Sequence, residues 1–176
     1  MNLQALITAS INRSVTNVFS TMLGVELGPG IPSVEHTTPE ANDGVMSFIG
    51  VAGSWAGTGS VSCSPALARR ICSEMLMSHT TSMNEDVLDT LAELTNMIIG
   101  NVKTELEQEV GPLGLSIPTV VFGRNFRTKS AGTSEWIVLR FPWEDEVLLV
   151  KVCLAPQEKP ARARSHMPGQ IGAPAV

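Results

Sequence analysis

Between Asn84 and Glu109 the chain runs a full helix length without a proline, and within it Val87, Leu91, Leu94, Ile98 and Val102 recur at steps of three and four. At about 100° per residue these side chains share one side of an α-helix, supported by Leu88 and Leu106. Asp89, Glu93, Asn96, Gly100, Lys103 and Glu107 fall on the other side. An apolar stripe of this length has to be buried against a second layer. The sequence supplies that layer as strands: residues 44–52 and 57–63 around a glycine-rich turn at Gly53 to Gly57, then 115–123, 133–141 and 146–154. The last two are joined by Pro142-Trp143-Glu144-Asp145 with no helix between them, so an antiparallel hairpin is their simplest pairing. The expected fold class is α+β, an antiparallel sheet with three helices packed on it.

The other two helices announce themselves by similar signals. Leu3, Ile7, Ile11, Val15, Val18 and Met22 form an amphipathic stripe that ends near Gly24, and Gly28, Pro29, Gly30 and Pro32 then break the helix. Ser64-Pro65 places serine at an N-cap and proline at the first helical position, opening a helix that runs to about Met77. Ser82 and Glu85 have capping-box spacing in front of the long helix, and Pro112 and Gly114 end it. A faint internal repeat is also present. Thr16-Asn17 in the first helix matches Thr95-Asn96 in the third, and Ile31-Pro32-Ser33-Val34 matches Ile117-Pro118-Thr119-Val120. A helix followed by three strands, twice, with the second helix inserted, would be a duplicated unit.

A chain of 176 residues is long enough for one domain with a substantial core and short for two. Residues 1–155 read as that domain, and residues 156–176, rich in Pro, Ala and Gly without periodicity, as a flexible tail. The net charge is -5; the segment from Pro156 onward carries +2, which leaves -7 on the body. An acidic body argues against nucleic acid, whose affinity comes from Lys and Arg neutralising phosphates. Cys63, Cys72 and Cys153 form no CxxC pair, and His36, His79 and His166 have no ligand spacing, so no metal site of the chain's own is expected. The N-terminus lacks a basic start before its apolar residues, and no apolar run approaches the ~20 residues that cross a bilayer. The expectation is a soluble, cytoplasmic protein that engages no membrane.

From spacing alone the polar face of the long helix reads as a solvated face, and two details of it stand out. Glu93 and Asn96 are three residues apart, so their side chains are neighbours, and Asp89 lies one turn earlier. Asparagine is a poor helix-interior residue, and Gly100, one turn after Asn96, costs ~1 kcal/mol relative to alanine in such a place. A small residue on an exposed face clears space for another molecule's backbone. Elsewhere, Gly53-x-x-x-Gly57-x-Gly59 lacks the Gly-Lys-Ser/Thr of a phosphate loop, and Ser62, Ser64 and His79 lack a nucleophile-elbow context.

The string Asp89-Thr-Leu-Ala-Glu93-Leu-Thr-Asn96-Met-Ile-Ile-Gly100 resembles the D/S-x-x-x-E-x-x-N signature of the CheC/CheX phosphatases of bacterial chemotaxis. Asn17 to Glu26 looks like the end of the first helix of the CheX branch, Gly50 to Val61 like its glycine-spaced hairpin, and Ser116 to Gly123 like the strand after its active helix. The resemblance covers about residues 12–154 in order. It implies a phosphatase of the aspartyl phosphate of a CheY-like response regulator. Such an acyl phosphate is already labile, and the receiver supplies the phosphoaspartate, its Mg²⁺ and a lysine. The phosphatase has only to place a water in line and hold its partner still. By resemblance, Asn96 would position the water, its amide offering both an acceptor and donors. Glu93 would pair with the receiver's lysine, and Asp89 and Gly100 would support the local geometry. No cofactor of the chain's own is needed.

The CheC branch carries a second signature on its first helix. Here that helix offers Ser10-x-x-x-Ser14-x-x-Asn17 without the glutamate, and Thr21 stands where glycine would be, so no site is expected there. The resemblance also implies a homodimer. The rival readings are a receiver-binding module without turnover and a flagellar-switch-like interaction protein; the intact Glu93/Asn96 pair favours the phosphatase. Because residues 157–176 have no apolar periodicity with which to dock, deleting them should leave the melting temperature unchanged, and a fall of several degrees in a thermal melt would show that they pack on the body.

Overall fold

The computed structural model describes residues 2–36, 42–128 and 135–157, so the tail expected at 156–176 lies almost wholly outside the described residues. Helix α1 (Leu3–Val18) continues into one π-helical turn, Phe19–Leu23, and stops at Gly24 in the left-handed conformation with φ 66°. Strands β1 (Ile31–His36), β2 (Asn42–Gly53) and β3 (Trp55–Cys63) follow, then α2 (Pro65–Leu76) and α3 (Glu85–Val110). Strands β4 (Leu113–Leu115), β5 (Thr119–Phe126), β6 (Glu135–Trp143) and β7 (Glu146–Pro156) complete the order. Among the described residues, no helix is long and apolar enough to cross a membrane.

The seven strands form one antiparallel sheet in the order β1-β6-β7-β3-β2, with β4 and β5 both on the far side of β2. β4 pairs with residues 51–53 of β2, and β5 with residues 42–48. Exchange β1 with β5, β6 with β2 and β7 with β3, and the order is unchanged. The helix-plus-three-strands repeat suspected from a few matched letters is therefore a topological duplication, with a pseudo-twofold axis between β3 and β7. α2 is the insertion between the halves, and β4 an addition to the second.

Strand alternation puts Val45, Ile49, Val61, Leu139, Phe141, Val150 and Val152 on one face of the sheet, all at most 2% exposed. The apolar stripes of α1 and α3 close over that face; Ile11, Val15, Leu94 and Ile98 are fully buried. Cys63, Cys72 and Cys153 are buried free thiols, and burial pushes the Cys63 thiol up to about 12, so it behaves as a small apolar residue.

Several local features differ from what the sequence predicts. The N-cap of α3 is Asn84, whose Oδ1 accepts from the Val87 N–H at 3.2 Å, so the Ser82/Glu85 capping box is not the device used. Ser64 does cap α2, accepting from Leu67 N–H at 3.0 Å and donating to Glu146 at 2.7 Å. The strand expected over 115–123 is split: β4 ends at Leu115 and β5 begins at Thr119, because Pro118 has no N–H to give to a ladder. The β6–β7 hairpin is tighter than its sequence suggests. Trp143 pairs with Glu146, leaving only Glu144 and Asp145 in the turn, with Glu144 at φ 57°.

Close approach of α3 to the sheet depends on one missing side chain. A Cβ added to Gly59 would lie 2.7 Å from Ile99 Cδ1, 2.8 Å from its Cγ1 and 2.9 Å from its Cγ2. The β-branched isoleucine has little rotamer freedom with which to retreat. Gly59→Ala should therefore destabilise the protein by about 1–3 kcal/mol through overpacking, read from the midpoint of chemical denaturation; an unchanged midpoint would mean that α3 is not held at this depth.

Candidate functional site

α3 carries the site residues on the face turned from the sheet. Asp89, Glu93 and Asn96 are exposed and Gly100 is half-buried. The positions between them, Thr90, Leu91, Leu94, Thr95, Ile98 and Ile99, are buried. This alternation gives the polar face a rigid base. Thr95 satisfies its own hydroxyl by donating to the Leu91 carbonyl at 2.7 Å. Among the described residues, the side chains of Asp89, Glu93 and Asn96 have no hydrogen-bond or ion-pair partner.

The rest of the polar face is occupied differently. Lys103 and Glu107 form an i,i+4 ion pair at 2.9 Å, and Glu107 also accepts the Leu113 N–H at 2.8 Å. The backbone N–H of Leu113, together with Lys103, holds the Glu107 carboxyl below its ordinary range. These two residues thus fasten the end of α3 to β4. Glu105 is bound by Arg13 of α1, whose hydrogen bond lowers its pKa in the same way. The polar face of the helix is therefore fastened in its C-terminal half and, among the described residues, carries no side-chain partners at Asp89, Glu93 and Asn96.

α1 presents no comparable pair. Ser10 is 0% and Ser14 3% exposed, so neither stands where Glu93 stands. The burial patterns show why. Ile7, Ser10, Ile11, Ser14, Val15 and Val18 match Val87, Thr90, Leu91, Leu94, Thr95 and Ile98 position for position. In that frame Ala9, Arg13 and Thr16 fall at the places of Asp89, Glu93 and Asn96. The Thr-Asn match noted in the sequence is thus out of frame by one residue. The conclusion that α1 lacks the motif stands, but through Arg13 and Thr16 rather than through Ser14 and Asn17.

A sequence model of the family described as chemotaxis phosphatase CheX matches residues 45–142, a span that includes Asp89, Glu93, Asn96 and Gly100. The chain belongs to the CheX family. It is 30% identical over 137 residues to the CheY-P phosphatase CheX of Thermotoga maritima, covering 75% of this chain and 84% of that one. Two crystal structures share its fold. A chemotaxis protein CheX from Desulfovibrio desulfuricans superposes with a TM-score of 0.75 at 27% identity, covering 85% of this chain and 99% of that one. A chemotactic CheC-like protein from Shewanella oneidensis superposes with a TM-score of 0.71 at 30% identity, covering 88% of this chain and all of that one.

Gly100 is a candidate-site residue whose local cost can be measured in the free protein. A Cβ there meets only Leu115 Cδ1, at 4.0 Å, which is ordinary contact. Gly100→Ala should therefore stabilise the free protein by up to ~1 kcal/mol, the helix-propensity difference. A denaturation midpoint that fails to rise would show that the glycine meets a need internal to the fold.

Proposed function

We propose that this CheX-family chain is a phosphatase of a phosphorylated CheY-like response regulator, with Asn96 orienting the attacking water and Glu93 pairing with the receiver's lysine. The observation that carries this reading is the adjacency of Glu93 and Asn96 on a rigid helix, exposed and without internal partners, in a chain whose Thermotoga relative is a CheY-P phosphatase. A carboxylate and a carboxamide side by side are both weak bases, with no neighbouring base that would activate either as a nucleophile. They suit a reaction in which the substrate is already activated and the partner brings its own Mg²⁺.

The chemistry then divides between the two molecules. On docking, α3 enters the receiver's phosphorylation site with its polar face. Asn96 accepts a hydrogen bond from the water through its carbonyl oxygen and donates from its NH₂, which fixes the water on the line opposite the leaving carboxylate oxygen. Glu93 forms a charge-assisted contact with the lysine and so sets the depth and angle of entry. Asp89, one turn back, adds negative charge toward a partner site that holds a metal ion and a lysine. Gly100 keeps the helix surface low beside Asn96, leaving room for the receiver's backbone.

Phosphate release from a panel of phosphorylated receivers tests this directly. Asn96→Ala should lose on the order of 10²-fold in the rate of dephosphorylation while receiver binding survives, the cost of a misplaced reactant. Glu93→Ala should weaken binding and rate together. Neither should change stability by more than ~0.5 kcal/mol, since both replace exposed side chains without partners. Gly100→Ala should slow dephosphorylation even as it stabilises the protein. A wild-type chain that binds a phosphorylated receiver without shortening its phosphate lifetime would be a docking module instead. An active Asn96→Ala variant would overturn the water-positioning mechanism.

A further inference from the structure

The proposed reaction needs Asn96 held to a fraction of an ångström, and the helix that bears it is contacted from three sides within the next turn. Ile99 sits on Gly59 of β3, at a distance no Cβ would permit. Beside Gly100, Leu115 Cδ1 of β4 comes within 4.0 Å of where a Cβ would stand. The third contact is polar and comes from the other half of the molecule: Ser14 Oγ of α1 donates to the Ile98 carbonyl of α3 at 2.9 Å, in a buried seam. Ser14 is 3% exposed.

This hydrogen bond is not needed to rescue a stranded group. Inside a helix the Ile98 carbonyl already accepts from the N–H four residues on. A buried serine also has a ready acceptor in its own helix, the carbonyl one turn back; Thr16 and Thr95 use theirs. Ser14 instead reaches across to α3. An alanine would allow the same close approach of the two helices, so the hydroxyl adds direction rather than space. Ile98 lies two residues beyond Asn96, about 200° around the helix, so the bond grips α3 from behind the site.

We propose, building on the receiver-phosphatase reading, that Ser14 is a positioning residue that fixes the roll of α3 and thereby the placement of Asn96. The lever is steep. A helix with its side chains has a radius of ~5–6 Å, so a roll of ~10° shifts a surface group by ~1 Å. A displacement of ~1 Å costs up to on the order of 10²-fold in rate. Ser14 thus converts the contact between the duplicated halves into precision at a site that only one half carries.

Two variants and two readouts test the assignment. Ser14→Ala should lower kcat for dephosphorylation by at least about fivefold, with KM for the phosphorylated receiver within about twofold, because the docking groups remain while the water is misaligned. Ser14→Thr, which keeps the donor, should restore kcat. Residual dipolar couplings across residues 91–102, fitted against those of the sheet, report the roll of α3 without any receiver; they should change in Ser14→Ala and return in Ser14→Thr. Wild-type kcat in Ser14→Ala, or couplings that do not move, would overturn the proposal, as would parallel changes in kcat and KM that merely track a loss of fold. If the wild-type chain dephosphorylates no receiver, the phosphatase reading falls, and the couplings alone still decide whether Ser14 sets the helix.

Discussion

The pairing of β3 with β7 is the interaction on which the rest of the molecule depends. It runs from Trp55 opposite Pro156 to Ser62 opposite Leu149 and lies on the pseudo-twofold axis, so it joins the two halves along their longest shared edge. Its closeness is enforced at Gly57, where a Cβ would fall 1.9 Å from the Cys153 carbonyl oxygen. Every position in this ladder brings together residues about a hundred apart in sequence. Loop closure on that scale has to precede its reward, and topologies of this kind fold slowly. Once the central pair is made, β6 and β2 flank it, the outer strands add to them, and one continuous apolar surface receives both long helices.

The helices were the most legible part of the sequence, because a stripe such as Val87, Leu91, Leu94, Ile98 survives any tertiary detail. Strand existence was legible too, but strand ends were not. Pro118 breaks the ladder between β4 and β5, and only the geometry shows that both fragments share one edge of β2. The frame of the duplication was misread by one residue, since Thr-Asn recurs as letters while burial recurs in a neighbouring register. Letters carry little information over two residues; a match of six buried positions carries much more, and burial is visible only after folding.

The site divides along the same line. That Glu93 and Asn96 share a face follows from helical spacing alone. That they lack partners depends on where the nearby cations are engaged: Lys103 by Glu107 one turn on, and Arg13 by Glu105, a contact spanning 92 positions. Ser14 gave no signal. A serine within an apolar stripe reads as a small residue at a helix crossing, and its acceptor lies 84 positions away. Contacts of this range, between groups that are each unremarkable locally, are the ones that sequence periodicity does not register.

The frame found on α1 has a consequence for the symmetry of the two halves. A chain built on a twofold repeat carries two long helices in equivalent places, and their outward side chains tell them apart. Where α3 presents the exposed carboxylate of Glu93, α1 has the guanidinium of Arg13 bound by Glu105, and where α3 presents a carboxamide, α1 has the hydroxyl of Thr16, which donates to the Asn12 carbonyl of its own helix. Where the two frames coincide, the halves of this pseudosymmetric body therefore differ: the carboxylate of Glu93 is left open, while the guanidinium of Arg13 is already committed to Glu105.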